Sequence, residues 1–362
     1  MVRPSVRLLV VNAGSSSLKL SVLDPRDDVV VQRELERWDG GAEAVAELAR
    51  DAVGVDVVAH RVVHGGPAHT QAVVVDDRVV RGLRELVPLA PLHQPRAIDA
   101  IEAARRVLPA VMHVACFDTA FHSTIPPAAA VYALPGLWRE RWPLRRFGFH
   151  GLSHAYAVRR AAELGDLDVD DLQLVSCHLG AGASLCAVRD GRSVDTTMGF
   201  TPLEGLVMAT RAGTVDPGLV LWLQETGGLS AREVFDGLER DSGLTGLAGT
   251  PDMREVLDRR ARGDGDAALA FDVYAHRLRR ELAAMSAALD RLDACVFTGG
   301  VGEHTPEVRA ASGVAIDPAA NAATTGDGEI SVPGARARTF VVTAREDLEM
   351  AQQVRALLRT RG

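Results

Sequence analysis

Near the amino terminus, Val10-Val11-Asn12-Ala13-Gly14-Ser15-Ser16-Ser17-Leu18-Lys19-Leu20 breaks an apolar run with a small polar turn and then resumes it. The pattern reads as strand, tight turn, strand. Gly14 lets the turn tighten, the backbone N–H groups and serine hydroxyls can face an anion, and Lys19 adds a mobile positive charge. Such a loop suits a phosphate group. A related segment follows, Leu174 to Val188 with Gly180-Ala181-Gly182 at its turn. His178 stands 166 positions after Asn12, and the same offset sets Gly180 on Gly14, Val188 on Val22 and Asp190 on Asp24. A period this long lies outside solenoid repeats and implies a duplicated domain, each copy opening on a phosphate-type hairpin. For either loop alone, an ordinary Gly/Ser hairpin turn is an equally good explanation. The pair favours duplication.

Other polar clusters stand where apolar runs meet loops: His60 to Gly66, Phe117 to His122, Phe147 to Gly151, Thr210 to Gly213, Gly249 to Arg254 and Phe297 to Glu303. In α/β sheets the carboxyl ends of strands form the ligand crevice, which places Asp118 and Gly299 to Gly302 well. Anion-binding glycines, several arginines and a few carboxylates suited to Mg²⁺ are the parts of phosphoryl transfer. The rival is a zinc site, since His60 and His64, and again His150 and His154, are four apart. Arg61-Val62-Val63 reads as strand and no Glu follows the first His, so the zinc reading is weak. His64, His69, His113 and His276 read as structural or surface residues, the Arg-Arg pairs as solvated faces, and Asp76-Asp77 as a turn.

The elements that must position these residues follow from an alternation of β-branched runs with Ala/Arg/Glu-rich helical patterns, an α/β signature. Strands are predicted over 7–11, 19–23, 55–63, 111–116, 174–177, 184–188, 294–298 and 338–342. Helices are predicted over 96–107, where Ile98, Ile101, Ala104 and Leu108 share a face, over 267–292, and over 346–358. At 362 residues, the chain is long enough for two domains with their own cores. Its net charge of −8 and 4% aromatic content argue against a nucleic-acid surface. No stretch approaches membrane-spanning length, and no signal-peptide pattern is present. Cys116, Cys177, Cys186 and Cys295 sit in strand-like runs without CxxC spacing, which fits buried free thiols in a reducing cytoplasm.

In their order along the chain these clusters resemble the acetate kinases, within the sugar kinase, heat-shock ATPase and actin superfamily. The resemblance runs from VNAGSSSLK through HRVVHGG, APLHQP, FDTAFH, YALP, FGFHGLSH, HLGAGAS, MGFTPLEGL, TRAGTVDP and FTGGVGE to Arg345-Glu346-Asp347, nearly the whole chain. FDTAFH with FGFHG, and MGFTPLEG, are its most specific parts.

The resemblance implies an α/β fold of duplicated actin-like, ribonuclease H-like domains: mixed sheets flanked by helices, with the active site in the interdomain cleft. The expected domains are 1–145 with 346–362, the carboxy-terminal helix returning to the first, and 146–345 as the nucleotide-binding domain. The implied reaction is reversible Mg²⁺-dependent transfer of the ATP γ-phosphate to acetate. Mn²⁺ is a possible substitute, and propionate or another short carboxylate an alternative acceptor.

Asn12 and Glu346 would hold the metal. Ser15, Ser17 and Lys19 would lie by the phosphates. His178, Leu179, Gly180, Ala181 and Gly182, with Asp252, Met253 and Arg254, and Gly302, Glu303, His304, Thr305 and Pro306, would bind nucleotide. Arg61 and Arg211 would take the carboxylate and the moving phosphoryl group, with His150 donating to the same oxygens. Asp118 is expected to orient an arginine or a metal-bound water, because a carboxylate substrate is already ionised at pH 7 and needs no base. Val63, Leu92, Phe149 and Pro202 would line the pocket for the substrate methyl.

The resemblance further implies a homodimer in the cytoplasm. Two residues depart from the pattern: Ala181 stands where Asn is usual, and His304 where Asn usually follows Gly-Glu. The chain is also shorter between Asp24 and His60. A different class remains open, a catalytically weakened nucleotide-binding relative. Retention of Asn12, Arg61, Asp118, His150, Arg211 and Glu346 favours the enzyme.

Overall fold

Each of the two Gly/Ser-turn segments forms an antiparallel hairpin that begins a six-stranded sheet. The structure, a computed structural model, describes residues 6–14, 18–36, 38, 40–51 and 54–361. Ser15 and Ser17 lie outside the described residues. The first sheet contains β1 (Leu8–Ala13), β2 (Leu18–Leu23), β3 (Val29–Leu35), β4 (Val57–Val62), β5 (Val73–Val74) and β6 (Met112–Phe117), in the order β3-β2-β1-β4-β6-β5. The second contains β7 (Gln173–Leu179), β8 (Ala183–Arg189), β9 (Arg192–Thr196), β10 (Ala294–Thr298), β11 (Gly328–Glu329) and β12 (Arg338–Val341), in the order β11-β12-β10-β7-β8-β9. Listed from the other edge, it repeats the first sheet strand for strand. In both, an antiparallel three-strand meander is followed by two parallel strands and a short antiparallel edge.

The pairing register corrects one sequence expectation. Leu8 faces Leu23, and Leu174 faces Val188, so Val188 answers to Leu23 rather than Val22. The constant offset holds only on the leading strand, because the second turn (180–182) is one residue shorter than the first (14–17). With that residue removed, the register shift at Val22/Leu23 coincides with the one at Ala187/Val188. A bulge preserved at the same place in both sheets is what duplication leaves behind.

By its internal packing the chain divides into two units. One holds 1–123, 149–156 and 345–362; the other holds 124–148 and 157–344. The expected boundary at 145/146 falls inside the stretch 124–148, which packs with the second unit before 149–156 returns to the first.

In the first unit, alternation of side chains decides which face of the sheet carries chemistry. Leu9, Val11 and Val58 point to the face covered by the helix Gln94–Val107 through Ala100 and Ala104. Leu8, Val10, Val57, Ala59, Val114 and Cys116 point to the other face, against Met350, Ala351 and Val354 of the helix Glu346–Arg361. Asn12 and Arg61, next to last in β1 and β4, and Asp118, just past β6, continue that second parity. The helix that covers the face opens on Glu346.

The predicted helices and strands are present with shifted ends. The sequence reading omits β3 and β9, the edge strands of the two sheets: β3 pairs a valine run with Gln32-Arg33-Glu34 and is largely exposed, and β9 is mostly polar. Asp76 is no turn residue: its side chain accepts from Val79 N at 2.7 Å and caps the helix Asp77–Glu85.

Candidate active site

Arg61 is the hub of the first unit's polar cluster. It sits on β4 opposite Cys116 of β6. Asp118 follows β6 on the same face, and its N–H extends the pairing to Val62 O at 3.0 Å. Asp118 grips one edge of the guanidinium: Nε donates to Oδ1 and Oδ2 at 3.2 Å each, and Nη2 donates to Oδ2 at 2.9 Å. The other edge makes longer contacts, Nη1 to Asn12 Oδ1 at 3.3 Å and to Glu346 Oε2 at 3.4 Å. Asn12 Nδ2 in turn donates to Glu346 Oε2 at 3.1 Å.

The cluster is nearly dry, with Asp118 at 1% and Arg61 at 17% side-chain exposure. Burial alone would favour neutral Arg61, but the charges of Asp118 and Glu346 outweigh it and hold the guanidinium firmly protonated. Burial pushes the Asp118 carboxyl above the ordinary carboxylate range, with Glu346 adding to the rise and Arg61 opposing it.

His150 immediately precedes Gly151, whose N–H donates to Asp118 O at 3.0 Å and ties this segment to the cluster. A Cβ at Gly151 would stand 2.0 Å from that oxygen, so only glycine fits. His150 itself has φ of +55°, an uncommon conformation for a residue with a side chain, and such strain gathers at functional sites. Preceding it, Phe149 is buried, its carbonyl within 2.9 Å of His122 Nε2 and its ring edge-on to His64. Val63 is also buried, and Leu92 partly so. Pro202, partly buried, belongs to the second unit.

The loop that carries Val63 to Gly66 is stapled from two sides. Gln94 exchanges hydrogen bonds with the His64 backbone, at 3.2 and 3.0 Å, and Gly65 N donates to Thr119 Oγ1 at 3.0 Å. Lys19 does not stand as an isolated cation. It pairs with Glu34 of β3 at 3.0 Å, an exposed bridge.

In the second unit a cavity of about 590 Å³ gathers much of the expected nucleotide set. Gly180 and Ala181 line it from the hairpin turn, Asp252, Met253 and Arg254 from the start of a helix, and His304 and Thr305 from the end of another. His178, Leu179, Gly182, Gly302, Glu303 and Pro306 do not line it. Ala209, Leu244 and Tyr274, which no motif marks, supply an apolar wall that sequence reasoning missed, together with Val301 of the FTGGVGE segment. Its volume and lining suit a small organic ligand with a few oriented polar groups.

The Gly180 N–H is not open to an anion, because it donates to Gly182 O at 3.0 Å. Gly299 starts the helix Gly299–His304 at φ +79°, and a Cβ there would approach Leu179 O within 2.8 Å. Asp252 caps the helix Met253–Ala261 and pairs with Arg254, whose contact holds its carboxyl below the usual range.

Two further residues were invisible in the sequence. Glu239, at the end of the helix Ala231–Arg240, accepts from Arg211 Nε at 2.8 Å, and both side chains are mostly buried. Arg309 is fully buried without a carboxylate partner: it donates to Gly302 O, Glu303 O, Asn321 O and Asn321 Oδ1 at 2.7–2.9 Å. It thereby fixes the segment from Gly302 to Thr305.

No group of three or more His, Cys, Asp or Glu side chains suited to a metal is present among the described residues. His60, which burial and His113 hold well below its usual pKa, stacks on His113 instead. Asn12 and Glu346 form a sparser oxygen pair, which fits a hard divalent ion that takes one or two protein oxygens and fills its shell with phosphates and water.

Two copies of one six-stranded α/β sheet, each opening on a Gly-turn hairpin, define a duplicated actin-like fold. The chain belongs to the acetokinase family, whose model matches residues 41–352. It is 43% identical to the acetate kinase of Streptomyces avermitilis, the match covering 98% of each chain. Among solved structures, acetate kinase from Porphyromonas gingivalis superposes with a TM-score of 0.89 at 33% identity, covering 98% of this chain and 100% of that one. A propionate kinase from Francisella tularensis also gives 0.89, at 32% identity over 96% and 98%.

Proposed function

We propose that this protein transfers the γ-phosphoryl group of ATP to acetate, reversibly, forming acetyl phosphate and ADP. The observation that carries the reading is Arg61: Asp118 clamps one edge of its guanidinium and leaves the other edge on longer, weaker contacts. That second edge is the one a substrate oxygen would take in exchange. Acetate is an anion at neutral pH, so the attack needs no base. The residues are left with positioning and charge stabilisation, which dominate phosphoryl transfer. Asp118 holds Arg61 in place. Arg211, held by Glu239, and His150 donate to the moving phosphoryl oxygens.

Mg²⁺, or Mn²⁺ in its place, would be held through Asn12 Oδ1 and the Glu346 carboxylate, and when bound would neutralise phosphate charge. Adenine nucleotide occupies the cavity walled by Ala209, Leu244, Met253 and Tyr274, with the amide-poor turn at Ala181 toward its phosphates. Val63, Leu92 and Phe149 of the first unit take the acyl chain. One methylene is worth about 1–3 kcal/mol in such a pocket, so propionate is a slower substrate of the same site. The weakened-relative reading is not favoured, since a nucleotide binder has no use for Arg61, Asp118 and Arg211 together.

The protein works as a cytoplasmic homodimer. No helix among the described residues is long and apolar enough to cross a membrane, and all four cysteines are free and buried. Exposed Leu137 and Trp138 on one helix, and Leu221 and Trp222 on another, support a subunit contact. Hydroxylamine trapping with ATP, Mg²⁺ and acetate, propionate or butyrate tests the reading: acyl hydroxamate forms with kcat/KM falling from acetate to butyrate. Butyrate as the best acceptor would contradict the pocket assignment.

A further inference from the structure

Lys19 is the only lysine in the sequence: of the 40 Lys and Arg residues, every other one is arginine. The difference is chemical as well as geometric. An ammonium keeps a small fraction of free, nucleophilic amine at neutral pH, whereas a guanidinium stays protonated. Lys19 is therefore the single side-chain amine that an acylating agent can convert to a stable amide. Thiols are the competing acceptors, and all four cysteines are buried.

The position of this amine ties it to the polar cluster of the first unit. In the antiparallel pairing Lys19 stands directly opposite Asn12 of β1 and Glu34 of β3, so the three side chains leave the same face of the sheet. Leu18 and Leu20, of the other parity, are buried in the core on the opposite face. Asn12 is in turn bonded to Glu346 and Arg61. The Lys19 side chain is 53% exposed and that of its partner Glu34 46%. An ion pair so exposed contributes little and opens readily, which leaves Nζ accessible from solvent.

We infer that Lys19 is an acylation site for acetyl phosphate, the product of the proposed reaction, and that its acetylation is a feedback brake. An acyl phosphate presents a carbonyl carbon bonded to a good leaving group. The free amine of Lys19 attacks that carbon: the C–N bond forms, the C–O bond to phosphate breaks, inorganic phosphate leaves with the bonding pair, and the nitrogen's proton passes to solvent. No oxidant, reductant or third reactant takes part. The resulting amide has lost the ammonium charge that pairs with Glu34. One cation thus disappears opposite Asn12, where the phosphates of the nucleotide are proposed to lie, so nucleotide affinity falls and turnover with it. The regulatory role rests on the functional reading above; the acylation itself requires only the amine and the reagent.

Peptide mass spectrometry of the full-length protein after incubation with acetyl phosphate, without nucleotide or Mg²⁺ so that the reagent is not consumed, tests the site. The expected result is acetyl-lysine at Lys19 that accumulates in proportion to the acetyl phosphate supplied, with no side-chain acetylation in Lys19→Arg. Unmodified Lys19 at concentrations that acetylate free lysine would overturn it. For the brake, the reagent is removed before assay: the calorimetric affinity for ADP should fall at least fivefold and the KM for ATP rise at least fivefold, both in step with Lys19 occupancy. Lys19→Arg, treated alike, should keep its own untreated values. Acetylated Lys19 with unchanged ADP affinity and unchanged KM would overturn the feedback role and leave the modification standing. Absence of phosphotransfer in the untreated protein would overturn the functional reading instead, and mass spectrometry with the ADP titration would still decide the site and its effect.

Discussion

Arg61 Nη2 and Asp118 Oδ2 are 2.9 Å apart at the ends of adjacent parallel strands, and Asp118 is almost wholly buried. A carboxylate bound along a guanidinium edge is a geometric brace, and a carboxylate substrate has no proton to give it. Asp118→Asn should therefore lower kcat about 100-fold and raise the KM for acetate, while the shape of the pH–rate profile stays as in the wild type. Loss of an acidic limb in the variant would instead assign Asp118 as a base.

Arg211 is held by Glu239 in the second unit through a bond of 2.8 Å. Arg211→Ala should cost about 100- to 1,000-fold in turnover with nucleotide affinity nearly unchanged, because the interaction exists only with the moving phosphoryl group. Glu239→Gln keeps an acceptor but loses its charge, and should give a smaller fall in kcat than Arg211→Ala. Steady-state kinetics beside calorimetric nucleotide binding separate these outcomes.

Arg309 satisfies four oxygens with one guanidinium, fixing the segment from Gly302 that leads to the cavity-lining His304 and Thr305. Arg309→Met strands those buried acceptors. It should destabilise the protein by about 3 kcal/mol and weaken ATP binding, as read by urea unfolding and by nucleotide titration.

Some of this was legible in the sequence and some was not, for physical reasons. Asn12, Arg61 and Asp118 stand out because an apolar run ends abruptly in a polar residue, and strand parity then puts all three on one face. The duplication was visible in the leading strands. The slip of one residue in the second turn was not, because a loop's length shows only when its strands are paired. β3 and β9 escaped notice because neither edge strand alternates apolar with polar residues: β3 runs Val-Val-Val then Gln-Arg-Glu, and β9 has a single valine. Glu239 and Arg309 act across 28 and 12 residues on partners chosen by folding, and nothing in their neighbours announces them. Lys19 looked like a free cation until β3 brought Glu34 beside it.

His64 carries the clearest pH dependence. Burial lowers its pKa from 6.5 to about 4, and its Nδ1 accepts from Gly66 N at 2.9 Å, so the folded state prefers the neutral ring. Between those two values the unfolded chain binds the proton and the native one does not. Its stabilising contribution is therefore whole above pH 6.5 and declines as pH falls toward 4, by up to about 3 kcal/mol. Urea unfolding at intervals from pH 7.5 to 4 should show that decline, and His64→Gln, which cannot titrate, should make it shallower. An unaltered slope in the variant would assign the decline to other groups, His60 first among them.

The defining event is the movement of phosphorus between ATP and a carboxylate. Phosphorus-31 NMR of the protein with ATP, Mg²⁺ and acetate should show acetyl phosphate and ADP appearing in equal amounts, with both absent in Arg211→Ala on the same timescale. Tight ATP binding with no acyl phosphate above the enzyme-free background would contradict it.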